Sequence, residues 1–260
     1  MRNIRLDLRY DGTDFSGWQV QPGRRTVQGE IERVLETILG ERVRVHGSGR
    51  TDSGVHALKQ VAQFRSRTSL PVAVIERALR GLLPEDLLVL SAAEARPEFD
   101  ARRDALFRVY RYRIFRGRDP LLRRLVWEVR SPLDPSLLAS GSRRLLGEID
   151  ATSFADASRK GRSNRVRVDL SEWSEEGPEL VYRIRANRFV HHMVRTIVGT
   201  LVEVGRGFRP ADDIPAVVAS GDRRRAGRTA PARGLFLADV GYAGDEASPP
   251  LEGETDEVLP

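Results

Sequence analysis

In the first hundred residues, apolar side chains follow two spacings, one typical of strands and the other of helices. Alternation predicts strands, as at Ile4, Leu6 and Leu8, whereas apolar residues three and four apart predict helices. Thr26 and Pro71 are residue types that favour helix N-termini. In chain order, the predicted elements are strand 4–10, helix 27–38, strand 42–46, strand 59–66, a helix from Pro71 to Leu82 and strand 87–93. The resulting order is β-α-β-β-α-β.

The rest of the chain predicts a similar order of elements, without a repeat at the level of residues. These elements are strands 107–115 and 125–129, helix 134–146, strands 166–173 and 180–186, helix 189–204, a short helix near 211–219 and strand 234–242. Two such halves predict an α+β fold in which helices pack against an antiparallel sheet. We assign the halves to residues 1–104 and 105–242, and we interpret residues 243–260 as an acidic, disordered tail.

The composition of the chain excludes several classes of protein. Hydrophobic residues make up 40% of the 260 residues, and no apolar run approaches the ~18 residues that span a bilayer. The N-terminus lacks the apolar segment of a signal peptide. There is no cysteine, which excludes disulfides and thiolate chemistry. We therefore expect a soluble, cytoplasmic protein with no membrane partner.

The charge of the chain favours a polyanionic partner. The 43 basic residues include only two lysines, Lys59 and Lys160, and they outnumber the 37 acidic residues. The tail holds six acidic residues and no basic one, so residues 1–242 carry a formal charge of +12. Because arginine makes bidentate contacts with phosphate, nucleic acid is the leading partner class. A body that is merely soluble explains the charge equally well.

A polar loop between two predicted strands, residues 47–57, contains the most informative carboxylate. Asp52 is the single acid of this loop and lies between Arg50 and Gly54. A loop of this kind suits either a reactive group or an ordinary turn residue. On these residues alone, both interpretations remain open.

Two tyrosines of the predicted strand 107–115 form a candidate binding surface. Tyr110 and Tyr112 are two residues apart, so both rings project from one face of the sheet, whereas Arg111 and Arg113 project from the other. An aromatic platform near arginines can stack an unpaired base. The alternative is a pair of core tyrosines whose hydroxyls find hydrogen-bond partners.

The predicted helix 189–204 is apolar on most sides and therefore belongs in the interior. Arg195 lies in its middle and, if buried, needs a partner such as Asp52, because an unpaired buried charge is costly. Alternatively, Arg195 lies on a polar stripe with His191 and His192 and faces water. The two adjacent histidines are predicted to point to different sides of the helix, which disfavours a zinc site. No Walker motif and no glycine-rich dinucleotide motif is present, so we expect neither a metal nor a nucleotide cofactor.

Six segments of the chain share the motifs of one enzyme family. They are residues 10–19 (YDGTDFSGWQ), 49–57 (GRTDSGVHA), 99–102 (FDAR), 110–112 (YRY), 186–195 (ANRFVHHMVR) and 230–235 (APARGL). Together they resemble the motifs of the bacterial tRNA pseudouridine synthase A family, in order, over nearly all of residues 4–242. The set is far more specific than one short motif. This resemblance implies a pseudouridine synthase fold, in which two ferredoxin-like (RRM-like) halves share an antiparallel sheet around a central catalytic cleft.

The resemblance also implies an activity and the residues that perform it. The implied reaction is isomerisation of uridine to pseudouridine at positions 38, 39 and 40 of the tRNA anticodon stem-loop, by a homodimer without cofactor or metal. Asp52 falls on the family's nucleophilic aspartate, and Tyr110 falls on the tyrosine that stacks against the target base. Arg195 falls on the arginine that pairs with the catalytic acid, and Arg50 on the arginine that assists base flipping.

Two other functions remain compatible with the sequence. One is a non-catalytic RNA-binding protein on the same fold, and the other is a pseudouridine synthase that acts on another RNA. Residues 155–168 depart from the family's pattern. This basic loop is predicted to bind RNA with a preference of its own, which leaves the modified positions open.

Overall fold

The computed structural model describes residues 1–156 and 163–245. The central part of the predicted basic loop, residues 157–162, and most of the predicted tail, residues 246–260, lie outside the described residues. Within the described residues, no helix has both the length and the apolar character needed to cross a membrane.

Helices and strands of the first half follow the predicted order. They are β1 (Arg2–Tyr10), α1 (Val27–Leu39), β2 (His46–Gly47), β3 (His56–Ser66), α2 (Val72–Leu82) and β4 (Leu87–Ala95). Strand β1 lies between β4 and β3 and runs antiparallel to both. Strand β2 pairs with the edge of β3 that faces away from β1. The spatial order is therefore β4-β1-β3-β2. Thr26 caps α1 by accepting a hydrogen bond from the backbone N–H of Gly29 at 3.3 Å.

The predicted strand 42–46 is wrong, because only its last residue belongs to β2. Val45 is buried, but its backbone makes hydrogen bonds to side chains of α1 instead of a neighbouring strand. Its N–H donates to Glu32 Oε1 at 2.9 Å, and its carbonyl oxygen accepts from Gln28 Nε2 at 3.1 Å. A polar face of the helix thus satisfies backbone groups that the alternation of valines had assigned to a sheet.

The second half contains more elements than the sequence predicts. They are β5 (Ala105–Arg116), β6 (Trp127–Val129), α3 (Pro135–Arg143), β7 (Gly147–Asp150), β8 (Arg165–Glu176), β9 (Glu179–Ala186), α4 (Met193–Gly205), α5 (Ile214–Ser220) and β10 (Leu235–Tyr242). The main strands lie in the order β10-β5-β9-β8, and β7 pairs with β8 as the edge strand. Strand β6 pairs in parallel with β5. The predicted helix 211–219 is a 3₁₀ turn over Ala211–Asp213 followed by α5.

One ten-stranded sheet runs through both halves. The two halves meet where β10 pairs in parallel with β3, through Phe236 opposite His56 and Leu237 opposite Ala57. On its other side β10 pairs antiparallel with β5, where Leu237 lies opposite Tyr110. The predicted α+β fold with a shared, mostly antiparallel sheet is confirmed. The junction brings the loop before β3 close to Tyr110 on β5.

Helix α4 packs in the interior of the second half, as its apolar sequence predicts. Eleven of its thirteen residues are buried, so the helix has almost no solvent-facing surface. It begins at Met193 rather than Phe189, because His192 has a φ of +64° and therefore cannot belong to a right-handed helix. Residues 189–192 consequently form a turn at the N-terminus of α4 instead of its first turn.

The two faces of β5 differ as the alternation of tyrosine and arginine predicts. Tyr110 and Tyr112 are buried on the face that carries the core. On the opposite face, Arg113 binds Glu179 at 2.6 Å, and Arg111 pairs with Glu176. These arginines are therefore neutralised within the sheet and lie away from the cleft.

Candidate active site

Asp52 lies in the loop formed by residues 48–55, which we call the aspartate loop and which precedes β3. Buried polar side chains of β3 hold the start of this loop. Gln60 accepts a hydrogen bond from the Ser48 hydroxyl at 2.6 Å and donates one to the carbonyl oxygen of Gly49 at 3.0 Å. Both Ser48 and Gln60 are buried. The backbone before Asp52 is therefore fixed to the sheet rather than free in solvent.

The other side of the aspartate loop is fixed by β1 and by the segment that follows it. Tyr10 and Thr51 share a buried hydroxyl–hydroxyl hydrogen bond of 2.8 Å, and the backbone N–H of Trp18 donates to the Thr51 carbonyl oxygen at 3.1 Å. Gly17 has a φ of +86°, and a Cβ there would lie 2.8 Å from the Thr51 carbonyl oxygen. The Gly17 position therefore requires glycine for both its conformation and its close approach to the loop.

Arg195 of α4 binds Asp52 from the opposite wall of the cleft. Its Nη1 lies 2.9 Å from Asp52 Oδ2, and its Nε donates to the carbonyl oxygen of Ala230 at 2.8 Å. The side chains of Arg195 and Asp52 are 17% and 18% exposed. Of the two alternatives drawn from the sequence, the structure thus selects the ion pair. The charge-assisted hydrogen bond from the guanidinium fixes the orientation of the carboxylate.

His191 and His192 also contact Asp52, contrary to the prediction that they diverge. Their rings are stacked, with centroids 3.8 Å apart and planes inclined by 26°. Their Nε2 atoms lie 3.3 and 3.5 Å from the Asp52 carboxylate, and their Nδ1 atoms lie 3.5 and 3.4 Å from Asp156 Oδ2. The prediction failed because both residues precede α4, and the positive φ of His192 turns its side chain alongside that of His191. Burial lowers the pKa of His192, although the nearby carboxylates oppose this effect.

Tyr110 forms an aromatic wall beside the acid, whereas Tyr112 is a core residue. The Tyr110 ring packs edge-to-face on Phe189, with centroids 4.8 Å apart and planes at 82°. Burial raises the pKa of Tyr110 above its ordinary value, so its hydroxyl stays protonated near neutral pH. Tyr112 is fully buried and donates a hydrogen bond to the carbonyl oxygen of Pro231 at 2.8 Å. The core interpretation therefore holds for Tyr112, whereas Tyr110 lines the cleft and its stacking role stays a prediction.

One cleft of about 1350 Å³ is lined by Asp52, Tyr110, His191, His192 and Arg195. All four predicted site residues lie there: Asp52, Tyr110, Arg50 and Arg195. Among the described residues that line it, Asp52 is the one acid, and six are arginines: Arg24, Arg50, Arg102, Arg108, Arg188 and Arg195. Arg50 is exposed to solvent. The cleft is therefore suited to a polyanion whose reacting group meets a single carboxylate.

Arg108 is a residue of the cleft that the sequence analysis missed. Its guanidinium donates to carbonyl oxygens on both sides of the cleft, to Ser48 at 2.8 Å and to Asn187 at 3.1 Å. The signal that could have identified it is its position two residues before Tyr110, on the same face of β5. Arg108 therefore connects the aspartate loop to the segment before α4.

Asp52, His191 and His192 form the one cluster within residues 1–156 and 163–245 whose donor atoms could reach a metal ion, all within 4.8 Å of one another. A divalent cation there would lie beside the Arg195 guanidinium, which already binds the same carboxylate at 2.9 Å. Because like charges repel strongly at such distances, we assign no metal to this cluster.

Comparison with known proteins identifies the family of the chain. The sequence profile described as tRNA pseudouridine synthase matches residues 8–103 and 142–243. The tRNA pseudouridine synthase A of Myxococcus xanthus is 42% identical over 260 residues, covering 98% of each chain. The enzyme of the same name from Halalkalibacterium halodurans is 44% identical over 241 residues, covering 91% of each chain. The one from Pelobacter propionicus is 41% identical over 244 residues, covering 93% of this chain and all of that one.

The matches extend over both halves of the sheet and include the aspartate loop and the turn before α4. They confirm the resemblance drawn from the six motifs, and with it an isomerase that modifies RNA. The chain belongs to the tRNA pseudouridine synthase family.

Proposed function

We propose that the protein converts uridine to pseudouridine at positions 38, 39 and 40 of the tRNA anticodon stem-loop, with Asp52 as the nucleophile. The observation that carries this proposal is the Asp52–Arg195 pair, in which the one acid among the described residues that line an arginine-rich cleft is held at 2.9 Å by a guanidinium. The motif resemblance supplies the anticodon positions, and family membership supplies the reaction class.

The reaction requires a group that can act on a nucleotide taken out of its stack. The N1–C1′ bond must break, the uracil must rotate while it is held, and C5 must bond to C1′. An ionised Asp52 can attack either the sugar carbon C1′ or the uracil ring. Arg195 orients that carboxylate, since its Nη1 donates a hydrogen bond to Oδ2.

Tyr110 and Arg50 hold the RNA in this proposal. The Tyr110 ring is fixed by Phe189 and presents an aromatic surface on which the detached uracil can stack. Arg50 is exposed and lies two residues before Asp52, where it can replace the target base in the stack or bind a phosphate. The other arginines of the cleft bind the backbone of the stem-loop.

The proposal is tested by incubating an anticodon stem-loop RNA with the protein and mapping pseudouridine chemically. The Asp52→Asn variant keeps the size of the side chain and removes its charge, so we expect the rate to fall about 10⁴- to 10⁶-fold. Asp212→Asn is the matched control, because Asp212 is an exposed acid paired with Arg144 outside the cleft. Full activity of Asp52→Asn would show that the nucleophile is another group.

The same assay separates the two alternative functions. A non-catalytic RNA-binding protein would bind the stem-loop without producing pseudouridine. A synthase for another RNA would leave positions 38 to 40 unmodified but would form pseudouridine in total cellular RNA. Because no step uses a cofactor or metal, the activity on tRNA should be unchanged by a chelator such as EDTA.

We further propose that the protein acts in the cytoplasm as a homodimer, as the resemblance implies. Light scattering combined with gel filtration measures the mass directly, and a mass near 29.2 kDa would contradict the dimer. We also propose the two halves, residues 1–104 and 105–242, as the domains. The support is that β4-β1-β3-β2 and β10-β5-β9-β8 have the same strand order when the short strands β6 and β7 are left out and each half is numbered from its own first strand.

A further inference from the structure

Arg108 is half-buried, lines the cleft from β5 and binds four backbone carbonyl oxygens through the two terminal nitrogens of its guanidinium. Nη1 donates to Ala105 and Asn187, both at 3.1 Å, and Nη2 donates to Ser48 at 2.8 Å and to Arg102 at 2.7 Å. Because each terminal nitrogen carries two hydrogens, these bonds use all of the hydrogens on both. The guanidinium is therefore fixed in one orientation by the protein itself.

Two of the four oxygens belong to opposite walls of the cleft. The Ser48 carbonyl lies at the start of the aspartate loop, whereas the Asn187 carbonyl lies just before the turn that precedes α4. Tyr110 follows Arg108 by two residues, on the same face of β5. One guanidinium therefore joins the segments that carry Asp52, Tyr110 and the residues that contact Asp52.

Arg108 differs in this respect from the arginines that are available to RNA. Arg50 and Arg188 also line the cleft, but they are exposed, so that a phosphate can reach them from solvent. A bidentate contact with phosphate needs two N–H groups of a guanidinium, and in Arg108 only the Nε–H remains. Arg108 is thereby excepted from the cleft arginines that we propose to bind the RNA backbone, although its charge still adds to the positive field of the cleft.

The FDAR motif supplies another of the four oxygens, the carbonyl oxygen of Arg102. The Asp100 carboxylate accepts a hydrogen bond from the backbone N–H of Arg102 at 2.9 Å, which closes a tight turn. The buried hydroxyl of Tyr242 donates to the carbonyl oxygen of Ala101 at 2.6 Å and ties this turn to β10. The motif therefore presents the Arg102 carbonyl to Arg108 from a fixed position in the fold.

We propose that Arg108 is a positioning residue for the reaction, whose four hydrogen bonds hold the two walls of the cleft in register with Tyr110 and so place Asp52 against the target nucleotide. This role rests on the proposed function, because it requires that Asp52 act on a bound nucleotide. A displacement of about 1 Å can lower a rate about 10²-fold. Loss of the four bonds should therefore reduce catalysis rather than binding.

The first test is Arg108→Lys, because lysine keeps the charge but has a single nitrogen that cannot reproduce the fork of a guanidinium. We expect kcat on anticodon stem-loop RNA to fall about 10- to 10²-fold. The affinity and its dependence on salt should be unchanged, which also shows that the variant is folded. Arg144→Lys is the matched control, because Arg144 pairs with Asp212 on the surface, and its kcat should equal that of the wild type.

Arg188→Ala provides the contrast in binding. Loss of this exposed arginine should weaken the affinity for the stem-loop and lower the slope of log Kd against log salt concentration by about one. If Arg108→Lys also loses affinity but keeps its kcat, the guanidinium of Arg108 binds RNA and the proposal is overturned.

A double-mutant cycle tests the part of the FDAR motif. Asp100→Ala releases the turn that presents the Arg102 carbonyl, so we expect a smaller fall in kcat than in Arg108→Lys. Because both changes act through one contact, the double variant should be no slower than Arg108→Lys alone, whereas additive losses would overturn the part assigned to the motif. Asp134→Ala is the matched control, since Asp134 likewise accepts backbone hydrogen bonds, at the start of α3 and outside the cleft. It should leave kcat unchanged.

A distance measurement distinguishes failure of this inference from failure of the proposed function. Because the chain has no cysteine, Arg50→Cys and Arg188→Cys place two spin labels on opposite walls of the cleft and nowhere else. The distribution of distances between the labels, measured by electron paramagnetic resonance, should broaden when Arg108→Lys is added. It should stay narrow when Arg144→Lys is added instead.

Two results would overturn the positioning role. One is an Arg108→Lys variant with the kcat of the wild type, and the other is an unchanged distribution of label distances. If the wild type itself forms no pseudouridine, the proposed function fails, and the label distances still decide whether Arg108 holds the two walls.

Discussion

The two walls of the cleft are built in different ways. The aspartate loop is held by hydrogen bonds between buried polar groups, such as Tyr10 with Thr51 and Gln60 with Ser48. The opposite wall, from His191 to Arg195, is held by the burial of the apolar helix α4 and includes one strained residue, His192. Asp52 is thus placed by directional bonds to a sheet, whereas its partners are placed by the end of a packed helix.

The largest effect in this comparison should follow from cutting the ion pair that joins the two walls. In Arg195→Ala, Asp52 loses the guanidinium that orients it, and we expect kcat to fall about 10²- to 10³-fold. The stem-loop affinity should change much less, because five other arginines line the cleft. Steady-state kinetics and a binding titration measure the two separately.

Arg144→Ala is the control for this comparison, because Arg144 pairs with Asp212 on the surface. Its kcat should equal that of the wild type. An Arg195→Ala variant that loses affinity but keeps its kcat would mean that the guanidinium binds RNA instead of orienting Asp52.

An intermediate effect is expected from Gly17→Ala, which disturbs only the wall formed by the aspartate loop. The new methyl group would lie 2.8 Å from the Thr51 carbonyl oxygen and displace the residue next to Asp52. A displacement of this kind can lower kcat by up to about 10²-fold. Gly23→Ala is the matched control, because Gly23 also has a positive φ but no atom lies within 4 Å of its added Cβ.

Both glycine variants should lose about 1–2 kcal/mol of stability from the positive φ, as measured by urea unfolding. Only Gly17→Ala should also lose activity. Equal kcat values in the two variants would show that the position of the aspartate loop is not critical.

The smallest effect at neutral pH, but a clear one at high pH, concerns Tyr10. Burial raises its pKa from 10.0 to about 12. The folded protein therefore keeps this proton at a pH where the unfolded chain has lost it. The resulting stabilisation is complete below pH 10 and is lost as the pH rises through about 12. Urea unfolding across this range should show a steep loss of stability, and Tyr10→Phe should make that loss shallower.

The matched variant in this experiment is Tyr182→Phe. Tyr182 is also fully buried, also has a raised pKa and also shares a hydroxyl hydrogen bond, with Ser171 at 2.7 Å. It lies away from the cleft, on β9. The two variants should change the alkaline stability alike, whereas only Tyr10→Phe should lower activity. A reduced activity of both would indicate a general loss of stability rather than a local effect on the aspartate loop.

Sequence patterns predict those parts of the fold whose causes are local. Thr26 before a helix and Pro71 at the start of another mark helix ends correctly, because a cap acts within one turn. The strand at 42–46 was wrong because its backbone partners are side chains of α1, which local alternation does not reveal. The apolar pattern of helix 189–204 offered Asp52 as a partner for a buried Arg195 and left a solvent-facing arginine as the alternative, whereas the motif resemblance implied the pair.

The parts of the site that the sequence does not predict depend on backbone conformation and on distant partners. A helical pattern assigns His191 and His192 to different directions, and only the positive φ of His192 makes their rings stack. The burial of Arg195 depends on which chain segment faces it, and that segment lies 143 residues away. Such contacts are set by tertiary packing, and the residue spacing of a single sequence considered alone does not predict them.

The position of β10 has a consequence for the synthesis of the protein. Residues 235–242 form the last strand of the described chain, yet they lie in the middle of the sheet, between β3 and β5. A ribosome delivers the aspartate loop and α4 before this strand, but the two halves have no shared ladder until it inserts. Because distant strands pair late in folding, the cleft closes around Asp52 only after β10 has been made. A chain that stops before residue 235 therefore lacks the strand that joins the two walls of the cleft.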